Sequence, residues 1–256
     1  MISVCMATYN GGRFIKEQID SILPQLSQDD ELIVSDDGST DRTLEIIASY
    51  RDERIKVFHH KKTGNKYYPS LKVCYSTSNF ENALNQAKGD YIFLSDQDDI
   101  WEKNKVEESL EFLKKYDYVI HNLSVVDENG NVLKEKHYKN QALTFKIFQD
   151  IKSLSFWGCC SCFNKRILKN ALPIPEKAPQ HDSWIGLVAE KTGRCAYIEK
   201  PLIRHRIYGE NTSTGGKKSK NSAFLKLRYR FAMLCALLKI KKNQEQNKNG
   251  QFRGTS

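Results

Sequence analysis

The sequence predicts an α/β fold: a Rossmann-like, mostly parallel central sheet flanked by helices, with a basic amphipathic helix near its C-terminal end. Three observations predict it. The first third alternates short β-rich apolar runs with runs at helical spacing. That βαβαβ order demands parallel strands joined by right-handed crossovers. Next, the apolar run Tyr91–Leu94, bounded by Gly89 and Asp90, leads straight into Ser95-Asp96-Gln97-Asp98-Asp99-Ile100-Trp101. Three carboxylates then sit at the C-terminal edge of a sheet, where open α/β sheets hold ligands. Finally, charge is segregated. The 256 residues carry a net +9, yet residues 217–256 alone hold eleven Lys/Arg and one acid, a net of +10. Subtraction leaves −1 for residues 1–216, a neutral body with a basic tail.

Taken in order, Ile2–Ala7 reads as the first strand, broken by Thr8-Tyr9-Asn10-Gly11-Gly12. Phe14, Ile15, Gln18, Ile19, Ile22 and Leu23 recur at helical steps, and Pro24 ends or kinks that helix. Glu31–Ser35 is the second strand. Asp36-Asp37-Gly38-Ser39-Thr40-Asp41 follows and supplies an N-cap for a helix through Leu44, Ile46, Ile47 and Tyr50. Arg54–Phe58 is the third strand. Residues 59–78 form a long polar connection with His59-His60-Lys61-Lys62, a solvated loop or a binding loop. Asn79–Ala87 is a helix leading to the Asp-rich strand.

The second half reads as an amphipathic helix over 102–115 and a strand over Tyr118–His121. A hairpin turns at Asp127-Glu128-Asn129-Gly130 between Val125-Val126 and Val132-Leu133. A helix over 141–151 and an apolar strand over 155–163 follow. Gln180-His181-Asp182-Ser183-Trp184 opens a helix to Thr192, with Gly193 as its C-cap. Arg194–Ile198 and Leu202–Arg206 are two further strands. The expected organisation is one domain over 1–211, with halves 1–101 and 102–211. A linker over 212–222, an amphipathic basic helix over 223–242 and a disordered tail over 243–256 complete it.

Composition narrows the function. A neutral body argues against a nucleic-acid partner. No signal peptide is visible, and Phe231–Leu238 is too short an apolar run to span a bilayer. Seven scattered cysteines fit reduced thiols in a cytoplasm better than a disulfide framework. Cys159-Cys160-Ser161-Cys162 has no second pair to complete a zinc set. Neither G-x-S-x-G nor a P-loop motif occurs. Three acidic groups remain: Asp36/Asp37, Asp96/Asp98/Asp99 and Asp182. Clustered carboxylates call for hydrogen-bond donors or a hard divalent cation. Each group alone also reads as a turn or a helix cap, with no ligand role. An EF-hand is excluded, because Trp101 stands where that loop needs Gly.

Together the motifs are more specific. The chain resembles the inverting glycosyltransferase family 2, which has a GT-A fold. The resemblance covers Ile2 to about Ser213. It rests on Ser3–Asn10, Val34–Asp41, Ala87–Ile92, Ser95–Trp101, Gly158-Cys159 with Phe163-Asn164, His181–Trp184 and Arg206–Ser213. The S-D-Q-D-D-I-W and H-D-x-W forms look like the bacterial surface-polysaccharide branch, including rhamnosyltransferase-like members. The resemblance implies Thr8, Tyr9 and Asp37 at the nucleotide base, Asp96 near the ribose and Asp99 near the phosphates or acceptor. It also implies Asp98 on a divalent cation, Mg²⁺ or Mn²⁺, and Asp182 as catalytic base. Many relatives carry His where this chain has Tyr208.

The implied donor is a dTDP- or UDP-sugar, and the implied acceptor a saccharide or a polyprenyl-diphosphate-linked one. The tail would dock on an anionic membrane surface, with Phe224, Leu227, Phe231, Leu234, Cys235 and Leu238 as one apolar helical face. That places the protein in the cytoplasm, peripherally on the inner membrane face. The competing expectation packs this helix on the body. A sugar-phosphate nucleotidyltransferase would share the sheet but need a Gly-rich phosphate loop, of which Gly11-Gly12-Arg13 is a faint echo. A non-catalytic nucleotide- or lipid-binding protein would need neither Asp182 nor the full Asp cluster.

Overall fold

The structure is a computed structural model that describes residues 1–69, 71, 73–138, 143–209 and 221–240. In chain order the elements are β1 (Ile2–Thr8), α1 (Ile15–Ile22), β2 (Glu31–Asp36), α2 (Thr43–Ser49), β3 (Ile55–His59) and α3 (Val73–Gln86). Then come β4 (Tyr91–Ser95), β5 (Ile100–Trp101), α4 (Lys105–Leu113), β6 (Tyr118–Val126), β7 (Val132–Lys134) and α5 (Ile147–Ser153). The chain continues through β8 (Ser161–Asn164), α6 (Leu168–Ala171), α7 (His181–Thr192), β9 (Cys195–Arg206) and α8 (Ala223–Lys239).

One sheet runs β3-β2-β1-β4-β8-β6-β9-β5, with β7 paired to β6. The block β3-β2-β1-β4 is parallel throughout, as the βαβαβ reading requires. β8 then enters antiparallel between β4 and β6, while β6 and β9 are parallel. The inner strands are apolar on both faces because helices cover both. Val4, Leu32, Val34, Phe93 and Phe163 are wholly buried.

The second half departs from the sequence reading in four places. Tyr118–Val126 is one nine-residue strand, so the short strand and the first arm of the hairpin are continuous. The two strands expected around Pro201 are also one, Cys195–Arg206. Its register against β6 jumps from His121↔Ile198 to Asn122↔Pro201. A bulge therefore absorbs the proline that the sequence reads as a break. The apolar run 155–163 is strand only from Ser161, because Gly158–Cys160 forms a 3₁₀ turn. The helix expected over 102–115 starts at Lys105, since Ile100 and Trp101 pair with β9 and Glu102 donates to Leu202. Of the helix expected over 141–151, the described part begins at Ile147; residues 139–142, 210–220 and 241–256 lie outside the described residues.

The basic helix packs on the body through an apolar face distinct from the expected stripe, and Leu234 of that stripe also packs against the core. Tyr229, Met233 and Leu237, one turn apart, are buried against the body. The ring of Tyr229 meets Tyr68 edge-on at 6.3 Å, and Lys191 donates to the carbonyl of Leu237 at 2.6 Å. Burying Met233 and Leu237 contributes roughly 1.5–3 kcal/mol each, enough to hold the helix down. Phe224, Leu227, Phe231 and Leu238 lie on the opposite side by the 3.6-residue period and are 65–77% exposed. No helix among the described residues is long and apolar enough to cross a membrane.

Candidate active site

The parallel block aims three strand ends at one edge. Thr8 stands opposite Asp36 in the register, and Met6 opposite Ser95, so the turns after β1, β2 and β4 are neighbours. The bulged strand β9 delivers His205 and Arg206 to the same edge. The first turn of α7 delivers His181 and Asp182. Asp182 is close enough for its charge to act on Asp96.

At the β1–β2 end the two adjacent aspartates divide the labour. Asp36 is buried and builds the turn: it accepts from the Thr8 hydroxyl at 2.7 Å, Ser39 N at 2.8 Å and Gly38 N at 3.0 Å. Gly38 takes φ +77°, which a side chain would strain. The Thr8 hydroxyl is therefore spent inside the protein, and its carbonyl accepts from Asp37 N at 2.9 Å and Asn79 Nδ2 at 3.2 Å, so the residue shapes the turn from within. Asp37 points elsewhere and meets the imidazole of His60. Burial pushes its carboxyl above the ordinary value, with His60 and Lys62 opposing. Tyr9 stands 43% exposed at the rim, with the Lys62 ammonium 3.6 Å from its ring centroid. Its backbone is clamped on both sides by the Gln97 amide, at 2.8 and 3.1 Å. Gly11 permits this clamp, because a Cβ there would lie 2.4 Å from Gln97 Oε1.

The carboxylate turn after β4 is crowded with charge. Burial first, then the charges of Asp99 and Asp98, push Asp96 up to about 8. Burial and Asp99 push Asp98 up to about 6, opposed by the Tyr208 phenol, which donates to Asp98 Oδ2 at 2.6 Å. Asp99, expected near the phosphates or acceptor, is fully buried. Its Oδ1 accepts from His205 Nδ1 at 2.8 Å and from Arg206 N at 3.1 Å. Burial works against its charge, but His205 outweighs burial and holds the carboxyl below its usual value. Asp99 thus fastens the turn to β9. Arg206 completes the fastening. It is 2% exposed, donates Nε to the Asp98 carbonyl at 3.1 Å and Nη1 to the Glu128 carbonyl at 2.8 Å, and pairs with Glu17.

Two donor sets come together here. Asp99, Cys159 and His205 offer ligand atoms within 4.8 Å of one another. That buried set includes a soft thiol and an imidazole already bonded to Asp99, a poor match for a hard cation. Asp96 and Asp98 offer carboxylate oxygens alone, which suit Mg²⁺ or Mn²⁺.

Asp182 is not a helix cap. It lies inside the first turn of α7 and accepts from Ser183 N at 2.6 Å. Burial pushes it up to about 6, against hydrogen bonds from Ser183 and Gly158. His181 beside it stacks on Phe80 at 4.0 Å, and burial lowers it to about 3, so it stays neutral. A Cβ at Gly158 would sit 3.0 Å from His181 Nε2, so a larger residue would crowd the His181 ring.

Sequence reasoning missed Gln97, His60, Glu17 and the roles of His205 and Arg206. Gln97 and Arg206 stood as polar residues inside the quoted motifs and His60 in the polar loop, whereas Glu17 lay in the first helix and His205 in a strand. A separate cavity of about 470 Å³ lies at the other edge of the sheet, lined by Tyr91, Lys115, Asp117, Arg166 and Arg194 among others. It holds none of the three acidic groups.

Residues 3–172 match the family model described as "Glycosyl transferase family 2". The dTDP-rhamnosyl transferase RfbG of Shigella flexneri is 37% identical over 233 residues, spanning 87% of this chain and 78% of that protein. The putative teichuronic acid biosynthesis glycosyltransferase TuaG of Bacillus subtilis is 26% identical over 226 residues, spanning 86% of this chain and 84% of that one. The crystal structure of S. aureus TarS 1-349 in complex with UDP-GlcNAc superposes with a TM-score of 0.70 at 23% identity, over 95% of this chain and 68% of that one. In another TarS 1-349 crystal structure the match spans 60% of the TarS chain. The likeness to TarS is one of fold.

Proposed function

The chain belongs to glycosyl transferase family 2, and from that premise we propose a metal-assisted, inverting transfer of a sugar from a dTDP- or UDP-sugar to a saccharide or lipid-linked acceptor, in building a bacterial surface polysaccharide. The observation that carries this reading is the convergence of Asp37, Asp96, Asp98 and Asp182 on one sheet edge, with an exposed aromatic at its rim.

In this reading Tyr9 and Asp37 receive the nucleobase, Thr8 supports them from beneath, and Asp96 lies near the ribose. Asp98 would hold Mg²⁺ or Mn²⁺. Asp96 and Asp98, pushed upward by burial and neighbouring carboxylates, would gain from such an ion the compensating positive charge. When bound, the ion neutralises charge developing on the departing diphosphate. Asp99 and Arg206 act at one remove by fixing the turn that carries Asp98. Asp182 takes the proton from the acceptor hydroxyl as it attacks the anomeric carbon. A carboxyl pushed up to about 6 suits a general base, since it is ionised at neutral pH yet more basic than an ordinary aspartate. Attack from the face opposite the diphosphate inverts the anomeric configuration. A neutral His181 adds no positive charge that would pull Asp182 down.

The exposed stripe Phe224, Leu227, Phe231 and Leu238 lies on a helix carrying Lys226, Arg228, Arg230 and Lys239 and no acid. We read it as the face that docks on an anionic membrane at the cytoplasmic side, where a polyprenyl-diphosphate-linked acceptor resides.

The test is release of nucleoside diphosphate from UDP- and dTDP-sugars by the full chain, with Mn²⁺ or Mg²⁺ and a polyprenyl-diphosphate-linked saccharide. Release should stop in excess chelator and in Asp98→Ala, while thermal unfolding of that variant stays cooperative. Full activity in chelator would overturn the metal role, and failure with every donor would overturn the transfer.

A further inference from the structure

We propose that His60 is the positioning residue that makes this site select a uracil or thymine nucleotide over a guanine one. The inference rests on the reading of Asp37 and Tyr9 as the base-binding end of the donor site. His60 follows β3, and its backbone N–H donates to the Asp36 carbonyl at 2.8 Å, which fixes where its ring stands. The ring Nδ1 meets Asp37 Oδ1, and the two side chains are 16% and 4% exposed. An ionised carboxylate only accepts, so Nδ1 carries the proton and donates. Asp37 Oδ2 makes no hydrogen bond among the described residues, yet it is not sealed from solvent. The carboxylate therefore presents one free oxygen, beside an exposed Tyr9 ring and the Lys62 ammonium.

One acceptor oxygen reads a base by its donors. Guanine offers two adjacent donors, N1–H and the 2-amino group, and satisfies both only on a carboxylate with two free oxygens. Uracil and thymine offer a single N3–H flanked by two carbonyls. That N–H matches Asp37 Oδ2, and an ammonium such as that of Lys62 is a fitting donor to a flanking carbonyl. Cytosine and adenine place an unprotonated ring nitrogen beside their amino group, and its lone pair would face the carboxylate. His60 thus acts through Asp37, by occupying the oxygen that guanine would need.

The experiment is isothermal titration of UDP, dTDP, GDP and CDP into the full chain with Mg²⁺, for wild type, His60→Ala and His60→Asn. Wild type should bind UDP or dTDP tenfold or more tighter than GDP, since a hydrogen bond to a charged group carries roughly that much. His60→Ala should narrow that ratio about tenfold. His60→Asn keeps an N–H donor and should retain most of it. A wild type that binds GDP as tightly as UDP and dTDP overturns the proposal. So does a folded His60→Ala with the wild-type ratio. Binding of none of the four nucleotides would instead refute the donor-site reading itself.

Discussion

Replacing Asp182 by Asn should remove catalysis and raise stability in the same protein. The side chain lies in the first turn of α7 and accepts from Ser183 N at 2.6 Å. Asn keeps an oxygen for that bond, so the fold should survive. Burial pushes the Asp182 carboxyl from 3.8 to about 6. A carboxylate raised on folding is penalised whenever it is ionised in the folded state. The penalty is absent below the unfolded value of 3.8, sets in as pH rises, and is complete above about 6. Two pKa units correspond to at most about 3 kcal/mol, and relaxation reduces that to about 1–3 kcal/mol. Asn carries no charge and escapes the penalty. In a chain of this size about 1 kcal/mol moves Tm by roughly 2–4 °C. Calorimetry should therefore show Asp182→Asn melting a few degrees above wild type at pH 8, with the gap closing towards pH 4. Transfer should fall by on the order of 10²–10⁴ with nucleotide binding retained. The wild-type rate should climb about tenfold per pH unit below about 6 and level off above it. Near-normal transfer by the variant would refute the base assignment, and a lower Tm at pH 8 would refute the burial argument.

Two further predictions concern α7 and α8. The double substitution Leu227→Glu and Phe231→Glu alters residues 68% and 65% exposed, opposite the packed face, so Tm should hardly move. Co-sedimentation with anionic vesicles should drop sharply, and unchanged sedimentation would rule out docking through this stripe. Gly186→Ala in α7 would place a Cβ 2.1 Å from Phe156 Cδ1, on a ring only 3% exposed. Overpacking outweighs the helix-propensity gain of Ala, for a net loss of about 1–2 kcal/mol in a denaturant titration. A stabilised variant would show that the ring is free to move.

Much of the site was legible in the chain because its determinants are local. The βαβαβ alternation, the Asp-rich turn after Tyr91–Leu94 and the helix opening at His181 are each set by a few consecutive residues. Hydrophobic period and turn chemistry decide such elements without reference to the rest of the molecule. The parallel register then brings Asp36/Asp37 and the Asp96 turn to one edge, which follows from the βαβ order because it makes the strands parallel.

What only the tertiary structure decided is which carboxylate faces outward and what holds it there. Asp36 and Asp37 are indistinguishable in sequence, yet one builds a turn and the other meets His60. Asp98 and Asp99 differ in the same way, through Tyr208 and His205, more than a hundred residues along. The continuity of β9 was hidden because a bulge accommodates Pro201, and that of β6 because polar Asn122 and Ser124 break its apolar run; pairing between the two strands outweighs both local breaks. The second apolar face of α8 was hidden because periodicity shows stripes but not which stripe finds a partner. Local propensity determines where elements begin and end, whereas the direction of a buried polar side chain is set by long-range partners that desolvation makes obligatory.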